Sequence, residues 1–250
     1  MISPDVGLHT MLFRFQLPEG AYLALPIGQH LSIRAPTPGQ DTAFVSRQYT
    51  PTTSVDTVGY FDLVIKISPT GVMGNYLKNL PTGSKVGVRG PSGSLQYKGS
   101  GEFVIRRKNE ATGTAAPVTY SNMSVGMIAG GSGVTPMLQL IRYISARASD
   151  PTKLSLVLGN QTEGDIMCRE ELEAAAERNP NFKLHFMVDR SNNTAWRYGV
   201  GYITADVIKA QLPPPGKNTL ILMCGPPPML TAMKKNLAAL GYTDDMIFCY

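Results

Sequence analysis

A glycine-rich turn sets the strongest limit on how this chain folds. Gly130-Gly131-Ser132-Gly133 separates an apolar run at residues 124–129 from a helix-periodic run at residues 137–148. Glycines let the backbone turn tightly and approach an anion, and the free amides that begin the next helix favour negative charge. Thr135 suits the N-cap of that helix and Pro136 its first position. The pattern G-x-G-x-x-P lacks the last glycine of the dinucleotide fingerprint, so alone it fits either a phosphate cradle or an ordinary strand-to-helix turn.

From residue 123 onward, strand and helix patterns alternate. Strands are predicted at 124–129, 153–159, 182–188, 219–224 and 246–250, with helices near 136–148, 169–178, 204–210 and 229–240. This alternation predicts an α/β doubly wound, five-stranded parallel sheet over residues 123–250. In the strand order 3-2-1-4-5 the first and fourth strands meet at the switch point, outside which ligands bind. Their ends carry the glycine turn and Cys224-Gly225-Pro226-Pro227-Pro228-Met229, so we expect both turns to face one crevice.

The first hundred residues predict an antiparallel β-barrel. Apolar and polar residues alternate at 11–17 and at 61–67, and Gly and Pro turns separate these runs. A helix is predicted from Met73 to Leu80, which offers a second helix N-terminus to an anion. Residues 101–122 are predicted to contain the last barrel strand, at Phe103-Val104-Ile105, followed by an exposed linker.

Composition argues against several classes of protein. The net charge of +5 comes with no basic block beyond Arg106-Arg107-Lys108, so nucleic-acid binding is not expected. No apolar run reaches the roughly 18 to 20 residues of a spanning helix, and the N-terminus does not resemble a signal peptide. We therefore expect a cytoplasmic protein, or one at the cytosolic face of a membrane with any anchor outside this chain.

Cysteines and histidines indicate no metal. Cys168, Cys224 and Cys249 are widely spaced without a CxxC pair, which predicts reduced thiols. The three histidines are equally scattered, and each is interpreted as a structural or surface residue.

The segment Arg47-Gln48-Tyr49-Thr50 has the chemistry that a flavin requires. It offers a guanidinium for phosphate, an aromatic ring for stacking and a hydroxyl for hydrogen bonding. The alternative is an ordinary group of surface residues at the end of a barrel strand.

Taken together, the motifs RQYT, VIKIS with GVMGNYL, GPSGSL, GGSGVTPM, GNQTEGDI and CGPPPML resemble the ferredoxin-NADP reductase superfamily, and most closely the NADH-cytochrome b5 reductase family. Nitrate reductase flavin domains share most of them. The resemblance implies FAD in the N-terminal half and NADH in the C-terminal half. It also implies hydride transfer from NADH to FAD, followed by single-electron transfer to an acidic haem protein such as cytochrome b5.

The resemblance also implies roles for individual residues. Arg47 corresponds to an arginine on the FAD pyrophosphate, Tyr49 to a ring on the isoalloxazine, and Thr50 to a group near the reactive flavin nitrogen. The implied FAD-binding residues are Arg47, Gln48, Tyr49, Thr50, Val64, Lys66, Gly71, Val72, Met73, Gly74 and Thr135. Two positions depart from the family: Gly74 replaces a serine that contacts pyrophosphate, and Ser68 replaces an aromatic residue.

The implied NADH-binding residues are Lys66, Gly131, Ser132, Asp189, Cys224, Gly225, Pro226 and Met229. Thr50, Lys66 and Cys224 are the positions expected at the reacting groups. Asp189 ends the third strand, where a carboxylate bonds a ribose hydroxyl and repels the extra phosphate of NADPH. An exposed ion pair with Arg190 is the alternative. Nothing demands a nucleophile, because the hydride chemistry belongs to the cofactors.

Two other functions stay open at this point. The chain is also compatible with the flavin reductase module of a larger protein such as a nitrate reductase, or with a non-catalytic flavin- or NAD-binding module that senses redox state or docks partners. Retention of both sets of site residues favours the enzyme, which we expect to be a monomer.

Overall fold

The computed structural model describes residues 7–37, 40–108, 113 and 115–250. In the N-terminal half the elements are β1 (Thr10–Gln16), β2 (His30–Thr37), β3 (Gln40–Tyr49), β4 (Tyr60–Lys66), α1 (Val72–Asn79), β5 (Gly87–Ser92), β6 (Leu95–Gly99), β7 (Glu102–Lys108) and β8 (Ala115–Tyr120). In the C-terminal half they are β9 (Ser124–Gly130), α2 (Val134–Ser145), β10 (Leu154–Asn160), α3 (Arg169–Arg178), β11 (Phe182–Val188), β12 (Gly199–Val200), α4 (Ala205–Gln211), β13 (Thr219–Cys224), α5 (Pro227–Ala239) and β14 (Ile247–Cys249).

The N-terminal half is antiparallel, as predicted. Its strands form three sheets, with the orders β1-β4, β3-β2-β5 and β6-β7-β8. Alternate residues of strands β2 and β4, such as Ile33, Phe61 and Leu63, face one apolar core. Helix α1 covers that core with Met73 and Leu77, which lie one helical turn apart.

Two strands of this half, β5 and β8, show no alternation of apolar and polar residues in the sequence. Strand β8 pairs with β7, so the prediction of an exposed linker after β7 is wrong for residues 115–120. Residues 116–119 of β8 are exposed, as are all six residues of β5. Because neither strand buries alternate side chains, neither shows the period-two signal on which the prediction depends.

The C-terminal half is a parallel sheet with the order β12-β11-β10-β9-β13-β14. The predicted order 3-2-1-4-5 is therefore confirmed, and the fold class with it. The sheet has six strands instead of five, because Gly199–Val200 pairs with the end of β11. Two residues are too few to produce a recognisable strand pattern.

Helix α2 begins earlier than predicted, and this changes the role of Thr135. Residues Gly131–Gly133 form a 3-10 turn, Gly133 is the N-cap, and no side chain caps the helix. The predicted N-cap role of Thr135 is therefore wrong; its hydroxyl donates to the Ser132 carbonyl at 3.2 Å. Pro136 is tolerated in the first turn because amides there need no intrahelical partner.

The two halves share one apolar core. Val64 and Phe103 from the N-terminal half pack in the same cluster as Met127 and Met137 from the C-terminal half. The buried side chain of Gln139 accepts a hydrogen bond of 2.8 Å from the Gly28 amide. This packing fixes the width of the crevice between the halves.

The basic run at residues 106–108 has a structural role through Arg107. Its guanidinium donates to the carbonyl oxygens of Asp244, Asp245 and Ile247, and to the Tyr120 hydroxyl. These bonds tie strand β14 to the N-terminal half. Across the described ranges, no helix combines the length and apolarity that crossing a membrane requires.

Candidate functional site

One crevice of about 1210 Å³ lies between the barrel strands β3 and β4 and the carboxyl ends of β9, β10 and β13. Most of the residues implied by the sequence line it: Arg47, Gln48, Tyr49, Thr50, Val64, Lys66, Gly131, Ser132, Thr135, Asp189, Cys224, Gly225, Pro226 and Met229. The structure thus brings together the residues expected to bind FAD and those expected to bind NADH.

The implied residues Gly71, Val72, Met73 and Gly74 do not line this crevice. They form the start of α1, where Met73 and Gly74 are buried. The Asn75 side-chain amide holds the preceding short loop, since it donates to the carbonyls of residues 68, 69 and 71 at 2.9 to 3.0 Å. Binding of an FAD phosphate by this loop stays a prediction.

The two turns at the switch point touch each other through glycines. A Cβ atom on Gly133 would lie 2.2 Å from the Cys224 carbonyl oxygen, and one on Gly225 would lie 3.2 Å from the Gly130 amide nitrogen. Strands β9 and β13 are neighbours, with Ala129 opposite Cys224. The prediction that both turns face one crevice is confirmed.

The end of β3 offers three different groups to the crevice. The Arg47 guanidinium is exposed and donates to the adjacent Ser46 carbonyl at 2.9 Å. The Tyr49 ring is half-buried, and this burial raises the pKa of its hydroxyl despite the nearby Arg47 charge. Thr50 is buried. Arg47 forms no ion pair with any described residue, so an exposed cation stands beside a partly covered aromatic ring.

Cys224 is a neutral thiol. Burial, with a smaller effect from Cys249, raises the pKa of Cys224 to about 11. A thiol with this pKa carries almost no thiolate at neutral pH, so it is not a nucleophile. Its place in the crevice suits packing against a ligand.

Three residues that sequence reasoning did not single out line the crevice with buried polar atoms that have no hydrogen-bond partner among the described residues. These atoms are the His30 Nε2, both side-chain amide atoms of Asn160, and the Tyr250 hydroxyl. A buried polar group without a partner costs about 1 to 3 kcal/mol, so a ligand that completes these bonds gains that amount. Asn160 lies within the motif GNQTEGDI, which was the available signal; His30 and Tyr250 are isolated in the sequence.

The crevice lining also includes an exposed carboxylate and an exposed aromatic ring. Asp189 is exposed and follows β11, and its amide donates to the Asn160 carbonyl at 3.0 Å. Tyr202, which the sequence did not indicate, lines the crevice with 81% of its surface exposed. Within the described residues Asp189 forms no ion pair, which leaves its carboxylate available for a ribose hydroxyl.

These residues fit a flavin and a nicotinamide dinucleotide. The glycine turn and Arg47 match phosphates, Tyr49 and Tyr202 match flat rings, and the unpartnered buried atoms match amide or hydroxyl groups. No group of three or more His, Cys, Asp or Glu side chains able to hold a metal ion occurs among residues 7–37, 40–108, 113 and 115–250.

Asn160→Leu should stabilise the cofactor-free protein. Asn and Leu have similar size, and Leu removes two buried polar atoms that have no hydrogen-bond partner in the described part of the chain. We expect a gain of about 1 to 3 kcal/mol in the free energy of unfolding, measured by urea denaturation of the apoprotein. Asn75→Leu is the control, since the Asn75 amide makes three hydrogen bonds and its loss should destabilise. A destabilised Asn160→Leu variant would show that the Asn160 amide has a hydrogen-bond partner in the cofactor-free protein.

Comparisons with known proteins agree with this chemistry. Two family models match: an oxidoreductase FAD-binding domain over residues 2–97 and an oxidoreductase NAD-binding domain over residues 127–235. The chain is 45% identical to NADH-cytochrome b5 reductase 2 of Homo sapiens, over 98% of this chain and 90% of that protein. It is 40% identical to NADH-cytochrome b5 reductase 1 of Dictyostelium discoideum, over 98% and 78%.

Among solved structures, the cytochrome b5 reductase domain of Ulva prolifera nitrate reductase is similar, with a TM-score of 0.86 and 33% identity. The match covers 100% of this chain and 98% of that domain.

Proposed function

Because this chain belongs to the NADH-cytochrome b5 reductase family, we propose that it takes hydride from NADH onto FAD and passes single electrons to cytochrome b5 or a similar acidic haem protein. The chain is an oxidoreductase with FAD- and NAD-binding domains. The observation that carries the proposal is that one crevice is lined both by the barrel residues Arg47, Tyr49 and Thr50 and by the two turns of the parallel sheet.

The residues on the barrel wall would hold FAD. Arg47 would bind its pyrophosphate through a planar guanidinium, and Tyr49 would pack on the flavin ring. The buried Thr50 hydroxyl and Thr135 would contact the ring from the two halves. FAD, when bound, supplies the conversion between a two-electron donor and one-electron acceptors.

The residues of the parallel sheet would hold NADH. Backbone amides at Gly131 and Ser132 would bind its pyrophosphate, as helix N-termini commonly do. Cys224, Gly225 and Met229 would pack beside the nicotinamide, and Asp189 would bind the adenosine ribose. Lys66 would hold the nicotinamide end close to the flavin.

The protein contributes proximity more than acid or base catalysis. Both binding walls belong to halves that share an apolar cluster, so the crevice would hold two ligands at a defined separation. Orientation of this kind can lower a barrier by about 7 to 11 kcal/mol. The Cys224 thiol would stay protonated, since burial raises its pKa, and would take no part in proton transfer.

We also propose a division into an FAD-binding unit at residues 1–100, the last barrel strand and linker at 101–122, and an NAD-binding unit at 123–250. We propose that the protein is a monomer and acts in the cytoplasm or at the cytosolic face of a membrane. The net charge of +5 supports an acidic partner, chiefly through a faster association rate.

Two alternatives remain. The first is a reductase module of a longer nitrate reductase-type chain, which the similarity to the Ulva domain favours as a second candidate. A longer transcript would distinguish this module from a separate reductase. The other alternative is a redox-sensing module that binds both cofactors without turnover.

The test is anaerobic addition of NADH to the FAD-loaded protein while the flavin absorbance is recorded. We expect rapid bleaching by NADH and much slower bleaching by NADPH, and Asp189→Ala should narrow this preference. If the bound flavin stays oxidised after NADH is added, the enzyme hypothesis fails and the redox-sensing module becomes the favoured function. An unchanged preference in Asp189→Ala would contradict the role of that carboxylate.

A further inference from the structure

We propose that Asp165 is a positioning residue for the Lys66 ammonium, and through it for NADH. The inference rests on the proposed function, in which Lys66 contacts NADH. Lys66 ends β4 in the N-terminal half, and Asp165 lies in the 3-10 helix Glu163–Asp165 between β10 and α3. The Lys66 Nζ donates to the Asp165 Oδ1 at 2.8 Å.

The Asp165 carboxylate is held in place from its other side. Its Oδ2 accepts hydrogen bonds from the Thr162 amide at 3.2 Å and from the Thr162 hydroxyl at 2.6 Å. Burial opposes its charge, yet the bonds from Lys66 and Thr162 prevail and lower the pKa of Asp165. The carboxylate is therefore a charged, oriented acceptor at neutral pH.

The segment that carries Asp165 is also docked on the N-terminal half. The Leu8 amide donates to the Gly164 carbonyl at 2.8 Å, and a Cβ on Gly164 would lie 2.8 Å from the Leu8 side chain. The Ile67 amide, next to Lys66, donates to the His9 carbonyl at 2.7 Å. Both ends of the ion pair thus have fixed backbones, and only the lysine side chain is left to move.

A fixed acceptor matters because a lysine side chain is flexible. A lysine side chain that is not held samples many rotamers, and ligand binding must then overcome part of that rotamer entropy. Asp165 uses one of the three N–H donors of Lys66 and leaves two for a ligand in the crevice, which Lys66 lines. The Asp165 carboxylate also compensates the charge of the Lys66 ammonium. Lys66 would therefore act on NADH more through the orientation of its N–H donors than through electrostatic attraction of phosphate.

This assignment predicts an effect of opposite sign to simple electrostatics. Removing a carboxylate near an anionic ligand should strengthen binding if charge alone matters. Removing a positioning group should weaken it. Asp165→Asn keeps the shape and removes the charge, so it separates the two cases.

The experiment measures the Kd of NAD⁺ by calorimetry on FAD-loaded wild type, Lys66→Met, Asp165→Asn and the double variant. We expect Kd to rise about fivefold to tenfold in Asp165→Asn, given the lysine entropy involved. The double variant should be no weaker than Lys66→Met, because Asp165 acts through Lys66. An unchanged or lower Kd in Asp165→Asn, or an additive loss in the double variant, would overturn the inference.

Asp62→Asn is the matched control. Asp62 lies on the same strand as Lys66, and its ion pair with Arg14 also measures 2.8 Å, with a carboxylate 10% exposed against 11% for Asp165. Neither Arg14 nor Asp62 lines the crevice. Its Kd for NAD⁺ should equal that of wild type. If Lys66→Met weakens the binding of NAD⁺ while Asp165→Asn does not, only the positioning role of Asp165 fails. If the wild-type protein retains no FAD or binds no NAD⁺, the proposed function itself fails.

Discussion

Gly133→Ala is expected to destabilise the protein by about 3 kcal/mol or more and to abolish flavin reduction by NADH. Its Cβ would lie 2.2 Å from the oxygen and 2.5 Å from the carbon of the Cys224 carbonyl. Both are backbone atoms at the end of a central strand, so no side-chain rotation relieves the clash. The switch-point turns must separate, and the crevice they form is lost. Urea denaturation and anaerobic reduction by NADH measure the two effects.

Two other glycines distinguish this clash from backbone strain. Gly133 has a φ of −62°, so alanine is strained there by contact alone. Gly131 has a φ of +52° and no atom near its Cβ position, so Gly131→Ala should cost only about 1 to 2 kcal/mol. A Cβ on Gly216 would have the Thr219 hydroxyl oxygen, at 4.0 Å, as its nearest neighbour, so Gly216→Ala should be as stable as wild type. A Gly133→Ala variant as stable as Gly216→Ala would show that the turns are not in firm contact.

Arg47→Ala is expected to weaken FAD binding about 10-fold to 150-fold with little change in the stability of the apoprotein. A hydrogen bond between charged groups contributes about 1.5 to 3 kcal/mol, which corresponds to that range. The Arg47 side chain is exposed and its described hydrogen bond goes to the adjacent Ser46 carbonyl, so the fold depends little on it. Titration of the apoprotein with FAD gives the Kd directly.

The controls for this variant test charge and geometry separately. Arg106 is also exposed but does not line the crevice, so Arg106→Ala should bind FAD as wild type does. Arg47→Lys keeps the charge without the planar fork and should give an intermediate Kd. Equal Kd values for Arg47→Ala and wild type would exclude Arg47 from the phosphate site.

Much of the α/β half was predictable because burial produces strong patterns. Strands β9, β10 and β13 are covered on both faces and appear as apolar runs, and their predicted ends differ from the structure by at most one residue. Strands β5 and β8 escaped prediction since they are exposed. The cap of α2 was wrong because a 3-10 turn at Gly131–Gly133 advances the helix, which local preferences do not reveal.

Several site residues could not be predicted, because what makes them site residues is their surroundings. His30 is one scattered histidine in the sequence, and only packing buries its Nε2 in the crevice wall. Tyr202 is notable for being exposed, which a sequence pattern cannot show. The Tyr250 hydroxyl resembles the His30 Nε2, because only packing buries it in the crevice wall.

The sequence by itself determined the order of the five main strands and four helices of the parallel sheet, and the glycine and proline turns at the strand ends that carry the site. These properties depend on backbone preferences and periodicity within a few neighbouring residues. Only the tertiary structure decided that Lys66 meets Asp165 across 99 positions, that Gly133 leaves no room beside Cys224, and that Arg107 secures the final strand. Such contacts depend on how two separately patterned halves pack on one core, and no local pattern records that arrangement.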